Sequence, residues 1–233
     1  MQLFQLPESA TTEVELFIDR RIKSRSARYP VGGVSKRVLD ILISSSALLA
    51  FAPLFLLIAL LLKVTDRGPV LYRQPRVGFL SSAFGCFKFR TMVMDGDAVL
   101  ARHFRDDPDA AREWAETRKL KRDPRVTAVG QVLRQMSLDE LPQLWNVLRG
   151  DMSIVGPRPV VIEEITMYGS SAGHYLLTRP GLTGAWQVNG RNDVSYERRV
   201  SLDRDYVENW SFWKDIKIIV KTVPVVFAAK GTY

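Results

Sequence analysis

The chain has 233 residues and a formal net charge of +8, and 46% of its residues are hydrophobic. That length holds one catalytic domain with a short extra element. One cysteine, Cys86, excludes an internal disulfide, and with only His103 and His174 beside it the chain lacks the donors for a zinc site.

The first residues are polar and acidic, and the chain turns basic from Arg20 to Arg28. A secretory signal places its basic residues first and its apolar run directly after. Residues 1–33 therefore read as a mobile cytosolic tail. The chain shows no internal repeat and no low-complexity tract.

Ile41 to Leu62 reads ILISSSALLAFAPLFLLIALLL, 22 residues without a charge. A bilayer-spanning helix needs about 20, so a single span is the first reading. Two features oppose it. Pro53 sits near the middle, where it removes a backbone hydrogen bond. Positive residues flank both ends (Arg28, Lys36 and Arg37 before, Lys63 and Arg67 after), so the positive-inside rule sets no orientation. A helix that enters, breaks at Pro53 and returns to the same face satisfies both flanks. Its freed carbonyls then need partners, for which the Ser44-Ser45-Ser46 hydroxyls are candidates. On the residues alone, both topologies stay open.

Past Arg67 the chain is polar enough for a globular domain. GPVLYRQPRVG and FGCFKFRTM predict two strands joined by a Ser/Gly-containing loop. In the second, Lys88 and Arg90 alternate with Phe87 and Phe89, so the cations share one face. That face is either a solvated strand surface or a phosphate cradle. Residues 97–122 predict a highly charged, solvated helix and loop. The pairs Asp95/Asp97, Asp107/Asp109 and Asp203/Asp205 resemble metal-binding spacing but read as surface charge. Near the C-terminus, Trp210, Phe212 and Trp213 precede a helix with Lys214, Lys217 and Lys221 on one face and Ile216, Ile219, Val220 and Val223 on the other. Such a helix lies in a membrane interface or packs on a core.

Ser137-Leu-Asp-Glu140 has the spacing of a capping box, and Asp139 is an alternative N-cap that suits Pro142 better. Either way both acids sit at a helix start, where the dipole favours carboxylates. The surroundings add a second reading. Arg134 precedes them, Arg158 is held between Pro157 and Pro159, and Arg179 and Arg191 lie in a glycine-rich stretch. Arginines on rigid turns suit phosphate recognition. Carboxylates amid such cations are expected to stay ionised, and such an anion can bind Mg²⁺ or attack phosphorus. No G-x-x-x-x-G-K-[ST] or G-x-G-x-x-G loop is present, which argues against a soluble nucleotide-binding enzyme.

Four stretches together resemble the bacterial sugar transferases, the monotopic phosphoglycosyl transferases: Lys88-Phe-Arg-Thr-Met92, Ser137-Leu-Asp-Glu-Leu-Pro-Gln-Leu144, Gly150-Asp-Met-Ser-Ile-Val-Gly-Pro-Arg-Pro159, and Arg179-Pro-Gly-Leu-Thr-Gly184 through Asn189-Gly-Arg-Asn192. The resemblance runs from about Gly33 to the C-terminus. It implies an α+β, predominantly helical, monotopic membrane protein with a Pro-broken re-entrant helix, a small β-hairpin and interfacial amphipathic helices. Residues 34–66 would be the membrane element, broken at Pro53, and residues 67–233 the cytosolic catalytic domain with interfacial C-terminal helices.

The implied reaction passes hexose-1-phosphate from a UDP-hexose to undecaprenyl phosphate with Mg²⁺ and releases UMP. It is the first membrane step of exopolysaccharide synthesis. Galactose is the expected hexose and glucose the alternative. Asp139 is the implied nucleophile, Glu140 its neighbour in the metal site or in proton handling, and both are implied Mg²⁺ ligands. Arg134, Arg158 and Arg191 are the implied phosphate-binding residues, with Lys88 and Arg90 in a basic motif beside them. The implied place is the cytosolic face of the bacterial inner membrane, among membrane lipids, with a homodimer as a compatible assembly and no nucleic acid. A membrane-tethered basic binding module is the competing reading, and it leaves Asp139-Glu140 without a role.

Overall fold

The computed structural model describes residues 29–117, 120, 122–190 and 194–227. The tail proposed for residues 1–33 falls almost wholly outside them. The apolar run forms two helices, α1 (Gly33–Ala50) and α2 (Ala52–Thr65), bent by 59° relative to each other. Among the described residues no single helix is long and apolar enough to cross a bilayer; only this bent pair is, by length and composition. The turn lies at Phe51, ahead of the proline, and Pro53 occupies the first turn of α2. A proline is tolerated there because that turn needs no N–H donor, while its ring disfavours helix in the residues before it. Ser44 does not serve the break. Ser44 Oγ donates back into its own helix, to Asp40 O at 2.6 Å.

Polar side chains fasten α1 to the rest of the molecule. Lys36 Nζ donates to Asp215 Oδ2 at 2.7 Å, and Asp215 also accepts from Tyr206 Oη at 2.7 Å and Trp210 Nε1 at 3.1 Å. Asp40 Oδ1 accepts from Ser153 Oγ at 2.9 Å and Ile154 N at 2.8 Å. Arg37 donates to the carbonyls of Val147 and Leu148, both at 2.6 Å.

Strands β1 (Leu71–Val77) and β2 (Ala83–Phe89) form the predicted antiparallel hairpin, in register Tyr72 to Lys88 and Gln74 to Cys86. The predicted charged helix is two, α3 (Gly96–Asp106) and α4 (Pro108–Thr117). Pro108 is the cause: the preceding Asp107 is forced out of helical geometry, and its side chain instead accepts from Asp109 N and Ala110 N to cap α4.

Then come α5 (Ala128–Gln135), a one-turn 3₁₀ segment (Leu138–Glu140), α6 (Gln143–Arg149) and β3 (Ser153–Val155). After the short helices α7 (Ile162–Ile165) and α8 (Ala172–Leu176), β4 (Gly181–Thr183) pairs in parallel with β3. This second sheet is not anticipated in the sequence. Its glycines are structural: a Cβ on Gly181 would overlap the backbone of Gly156, so two main chains meet where side chains cannot fit. Helices α9 (Tyr196–Glu208) and α10 (Phe212–Phe227) close the domain.

The main core gathers Leu144 and Val147 of α6, Met152 and Ile154 beside them, Tyr206 of α9 and Ile218 of α10. A separate cluster joins Ile58 and Leu62 of α2 to Phe89 and Leu133, each such side chain contributing about 1.5–3 kcal/mol on burial. Phe89 and Leu133 directly precede Arg90 and Arg134, so α2 is packed against the elements that carry the basic residues. One predicted surface acid is misplaced by the sequence reading. Asp203 is buried at 2% exposure and accepts a hydrogen bond from Tyr168 Oη at 3.0 Å. Burial pushes its carboxyl up to about 7.

Candidate active site

The paired acids sit in the first turn of a 3₁₀ segment behind Ser137 at its N-cap position, rather than at the start of a longer α-helix. Helix α5 ends at Gln135, and Ser137 turns the chain with φ 55° and ψ 20°. The 3₁₀ turn carrying Asp139 and Glu140 follows, and α6 begins after Pro142. No side chain caps either segment. The capping-box reading is thereby overturned, because left-handed Ser137 and the short turn leave the carboxylates free to face the hairpin.

They face Lys88. Its Nζ lies 2.7 Å from Glu140 Oε1 and 4.0 Å from Asp139 Oδ2. Lys88 therefore spans both acids, although adjacent positions in a turn diverge. Arg158, presented between its two prolines after β3, places a guanidinium nitrogen 3.6 Å from the same Glu140 oxygen.

These distances separate the two acids electrostatically. Burial opposes the charge on Glu140, but Lys88 and Arg158 together outweigh it and hold the carboxyl down to about 2. For Asp139 burial raises the carboxyl above its ordinary value, and the neighbouring Glu140 adds to that. Lys88 and Arg134 pull the other way and do not prevail. The expectation that surrounding cations dominate describes Glu140 alone, since the close cations converge there.

The remaining predicted residues take different places. Arg134, in the last turn of α5, donates from Nε to Thr91 Oγ1 at 2.8 Å. Its helix can lie that close because residue 130 is glycine; a Cβ there would overlap the Thr91 carbonyl. Arg90 points elsewhere, 3.0 Å from Asp66 Oδ2 and donating to Asp66 O at 2.9 Å, so it ties the end of α2 to the hairpin. Arg191 lies outside the described residues.

A shallow cleft, open to solvent, adjoins Lys88, Glu140 and Arg158. Asp139 does not line it and connects to it through Lys88. The cleft also uses residues that the sequence reading passed over: Arg76 of β1, Gln143 at the start of α6, and Gln187 beyond β4. Arg76 had a legible signal, a cation in a strand pattern two residues from Gln74, to which it donates at 2.7 Å. The glutamines had none, because a neutral amide in a helix or turn carries no pattern.

Among the described residues no three His, Cys, Asp or Glu side chains gather as a metal site. Two adjacent carboxylates are nonetheless the donor set that Mg²⁺ uses when substrate phosphates complete its shell. The site thus offers anions for a hard cation, and three cations, Arg76, Lys88 and Arg158, for phosphate oxygens. That combination suits phosphoryl transfer, where positioning and charge stabilisation dominate.

Residues 31–229 match the family described as bacterial sugar transferase. The chain is 56% identical to the exopolysaccharide production protein ExoY of Rhizobium meliloti (strain 1021), over 88% of this chain and 90% of that one. It is 48% identical to the undecaprenyl-phosphate galactose phosphotransferase of Salmonella typhimurium, over 94% of this chain and 44% of that one. The undecaprenyl-phosphate glucose phosphotransferase of Komagataeibacter xylinus is 44% identical, over 82% of this chain and 35% of that one. With most of its length matched in these ways, the chain belongs to the bacterial sugar transferase family.

Proposed function

We propose that this chain transfers hexose-1-phosphate from a UDP-hexose to undecaprenyl phosphate and releases UMP, as the membrane step that starts an exopolysaccharide. The observation that carries the reading is the grouping of Asp139, Glu140, Lys88 and Arg158 beside a bent apolar helix pair. Galactose is the preferred hexose, in line with the name of the Salmonella relative.

The chemistry divides between the two acids. A carboxylate oxygen of Asp139 attacks the β-phosphorus and forms an O–P bond. The bond from that phosphorus to the bridging oxygen breaks, and the electron pair leaves on UMP. A phosphate oxygen of the lipid then attacks the same phosphorus and returns Asp139 as a carboxylate. Splitting the transfer lets a water-soluble donor and a membrane acceptor use one site in turn. Arg158 and Lys88 hold phosphate oxygens, and Arg134 supports them from α5. Glu140, ionised far into the acid range, keeps Lys88 and Arg158 in place. Asp139 and Glu140 would hold Mg²⁺, which supplies charge neutralisation to the diphosphate.

The apolar pair suits seating in one leaflet. Leu49, Leu56, Leu60 and Val64 are each more than 60% exposed, apolar surface that water does not favour. On α10, Trp213 and Val220 are exposed beside Lys217 and Lys221, the pattern of an interfacial helix. Residues 34–66 are then the membrane element, entering and leaving on the cytosolic face of the inner membrane, with the catalytic domain on that face.

The test is UMP release by detergent-solubilised protein from a panel of UDP-sugars, with and without undecaprenyl phosphate. UMP from one UDP-hexose, sustained only with the lipid, supports the reading. No UMP from any donor by folded protein removes it.

A further inference from the structure

Residues 66–70 carry the chain from the end of α2 into β1, and Arg90 clasps this linker along its length. Arg90 is buried, at 7% exposure. Its Nη2 donates to Asp66 O at 2.9 Å and lies 3.0 Å from Asp66 Oδ2. The second contact is an ion pair without hydrogen-bond geometry. The backbone N–H of Arg90 donates to Val70 O at 2.9 Å. Between these two contacts the guanidinium lies over Gly68, where a Cβ would overlap Nη1. Nη1 itself donates to Met94 Sδ at 2.9 Å. Asp66 needs such a partner. It sits at the C-cap of α2, where the helix dipole disfavours a carboxylate.

The residues on either side of Arg90 reach the acids or the apolar pair. Lys88 Nζ meets Glu140 Oε1, Phe89 packs on α2 with its ring centroid 5.4 Å from that of Phe55, and Thr91 Oγ1 accepts from Arg134 Nε. Residues 88–91 are thus the joint between α2 and the catalytic cluster. Apolar packing holds this joint closed but is non-directional. The planar guanidinium fork is directional and fixes how the linker sits on the strand. That matters for one substrate only. The nucleotide sugar reaches the cleft from water, whatever the set of α2. The lipid phosphate arrives from the bilayer, at a height fixed by how α2 is fastened to β2. We propose that Arg90 is a positioning residue for the acceptor step: through Asp66 it holds Lys88 and the paired acids at the depth where the lipid phosphate meets them, and it does not itself touch phosphate. This inference rests on the transferase reading above. It replaces the phosphate-side role that the resemblance implied for Arg90.

The experiment reads the two half-reactions apart in nanodiscs of phosphatidylethanolamine and phosphatidylglycerol. It compares wild type with Arg90→Met, Arg90→Lys and Asp66→Asn. Formation of the phosphohexose adduct from UDP-hexose alone should keep the wild-type rate in every variant. Discharge of the adduct by undecaprenyl phosphate should slow in Arg90→Met by roughly 10- to 100-fold, the scale of a displacement of about 1 Å. Arg90→Lys, which keeps the charge and loses the fork, should fall between the two. Adding Asp66→Asn to Arg90→Met should slow discharge no further, because the two residues act through one contact. Geranyl phosphate supplied from solution is not held at bilayer depth, so it should discharge the wild-type and Arg90→Met adducts alike.

Three results overturn the proposal. Unchanged discharge by undecaprenyl phosphate in Arg90→Met removes the positioning role. Adduct formation that slows as much as discharge makes Arg90 a residue of the whole site or of the fold. Equal slowing with geranyl phosphate places Arg90 at the acceptor phosphate itself. A distance measurement separates the inference from the function it rests on. Spin labels on cysteines at Leu57 of α2 and Tyr72 of β1, both exposed, report how the two elements are set. A single narrow distance that broadens in Arg90→Met retains the clasp even where wild type forms no adduct, an outcome that removes the reaction alone. An equally narrow distance in both proteins removes the clasp and leaves the reaction standing.

Discussion

At the scale of single residues, Asp139 and Glu140 are neighbours with opposite electrostatic environments, and this yields tests that separate their roles. Asp139→Asn should abolish UMP release; substantial remaining turnover removes it as nucleophile. Because burial raises the Asp139 carboxyl, kcat/KM should fall on the acid side at a pH above the ordinary aspartate value. An acid limb at or below pH 4 contradicts that assignment. Glu140 is depressed to about 2, so its contribution to stability is present above its unfolded value near 4.5 and is lost as pH falls toward 2. The stability gap between wild type and Glu140→Gln should therefore close across that window. Asp203 behaves inversely. The folded state holds a proton that the unfolded chain releases, so stability falls as pH rises from about 4 to about 7. Asp203→Asn should remove that decline in a pH series of Tm values, and an unchanged pH dependence would falsify the assignment. The paired acids and Arg158 were legible because charges beside prolines stand out in a sequence. Their grouping on Lys88 was not, because it depends on Ser137 adopting a left-handed turn. Gln187 and the burial of Asp203 depend wholly on tertiary neighbours.

At the scale of elements, α1 is held by buried polar anchors rather than by apolar packing alone. Lys36 and Asp215 have side chains 4% and 0% exposed. Breaking such a pair leaves a charge stranded, at a cost of about 3–5 kcal/mol. Lys36→Met should lower stability on that scale in denaturant titration, and a loss under 1 kcal/mol would show that Tyr206 and Trp210 suffice for Asp215. The hairpin was readable from its period of two, and the charged helices from their composition. The parallel β3–β4 pair was not, since strands of three residues whose partners lie 28 positions apart carry no local pattern. The break at Phe51 shows the same limit: proline marks the region of a bend, while first-turn geometry decides which residue turns.

For the whole molecule, the transferase reading requires the helix pair to return to the side it entered. Cysteines placed at Tyr29 and Arg67, both exposed, report on this, and the native Cys86 is buried and gives little background. Impermeant labelling from the cytosolic side should reach both. Opposite accessibility would restore a single bent span. Arginines on rigid turns already pointed to phosphates, and the order of four motifs made the family legible. The docking of α2 onto Phe89 and Leu133, next to Arg90 and Arg134, appears only in three dimensions.

The covalent step is the most direct point of attack. Detergent-solubilised protein would be mixed with its UDP-hexose in the absence of lipid and weighed intact by mass spectrometry. The expected result is a mass increase of one phosphohexose on the wild type, absent in Asp139→Asn and discharged by undecaprenyl phosphate. An active enzyme that never carries the adduct, and releases UMP only when the lipid is present, would contradict the aspartyl route and require direct transfer between the two substrates.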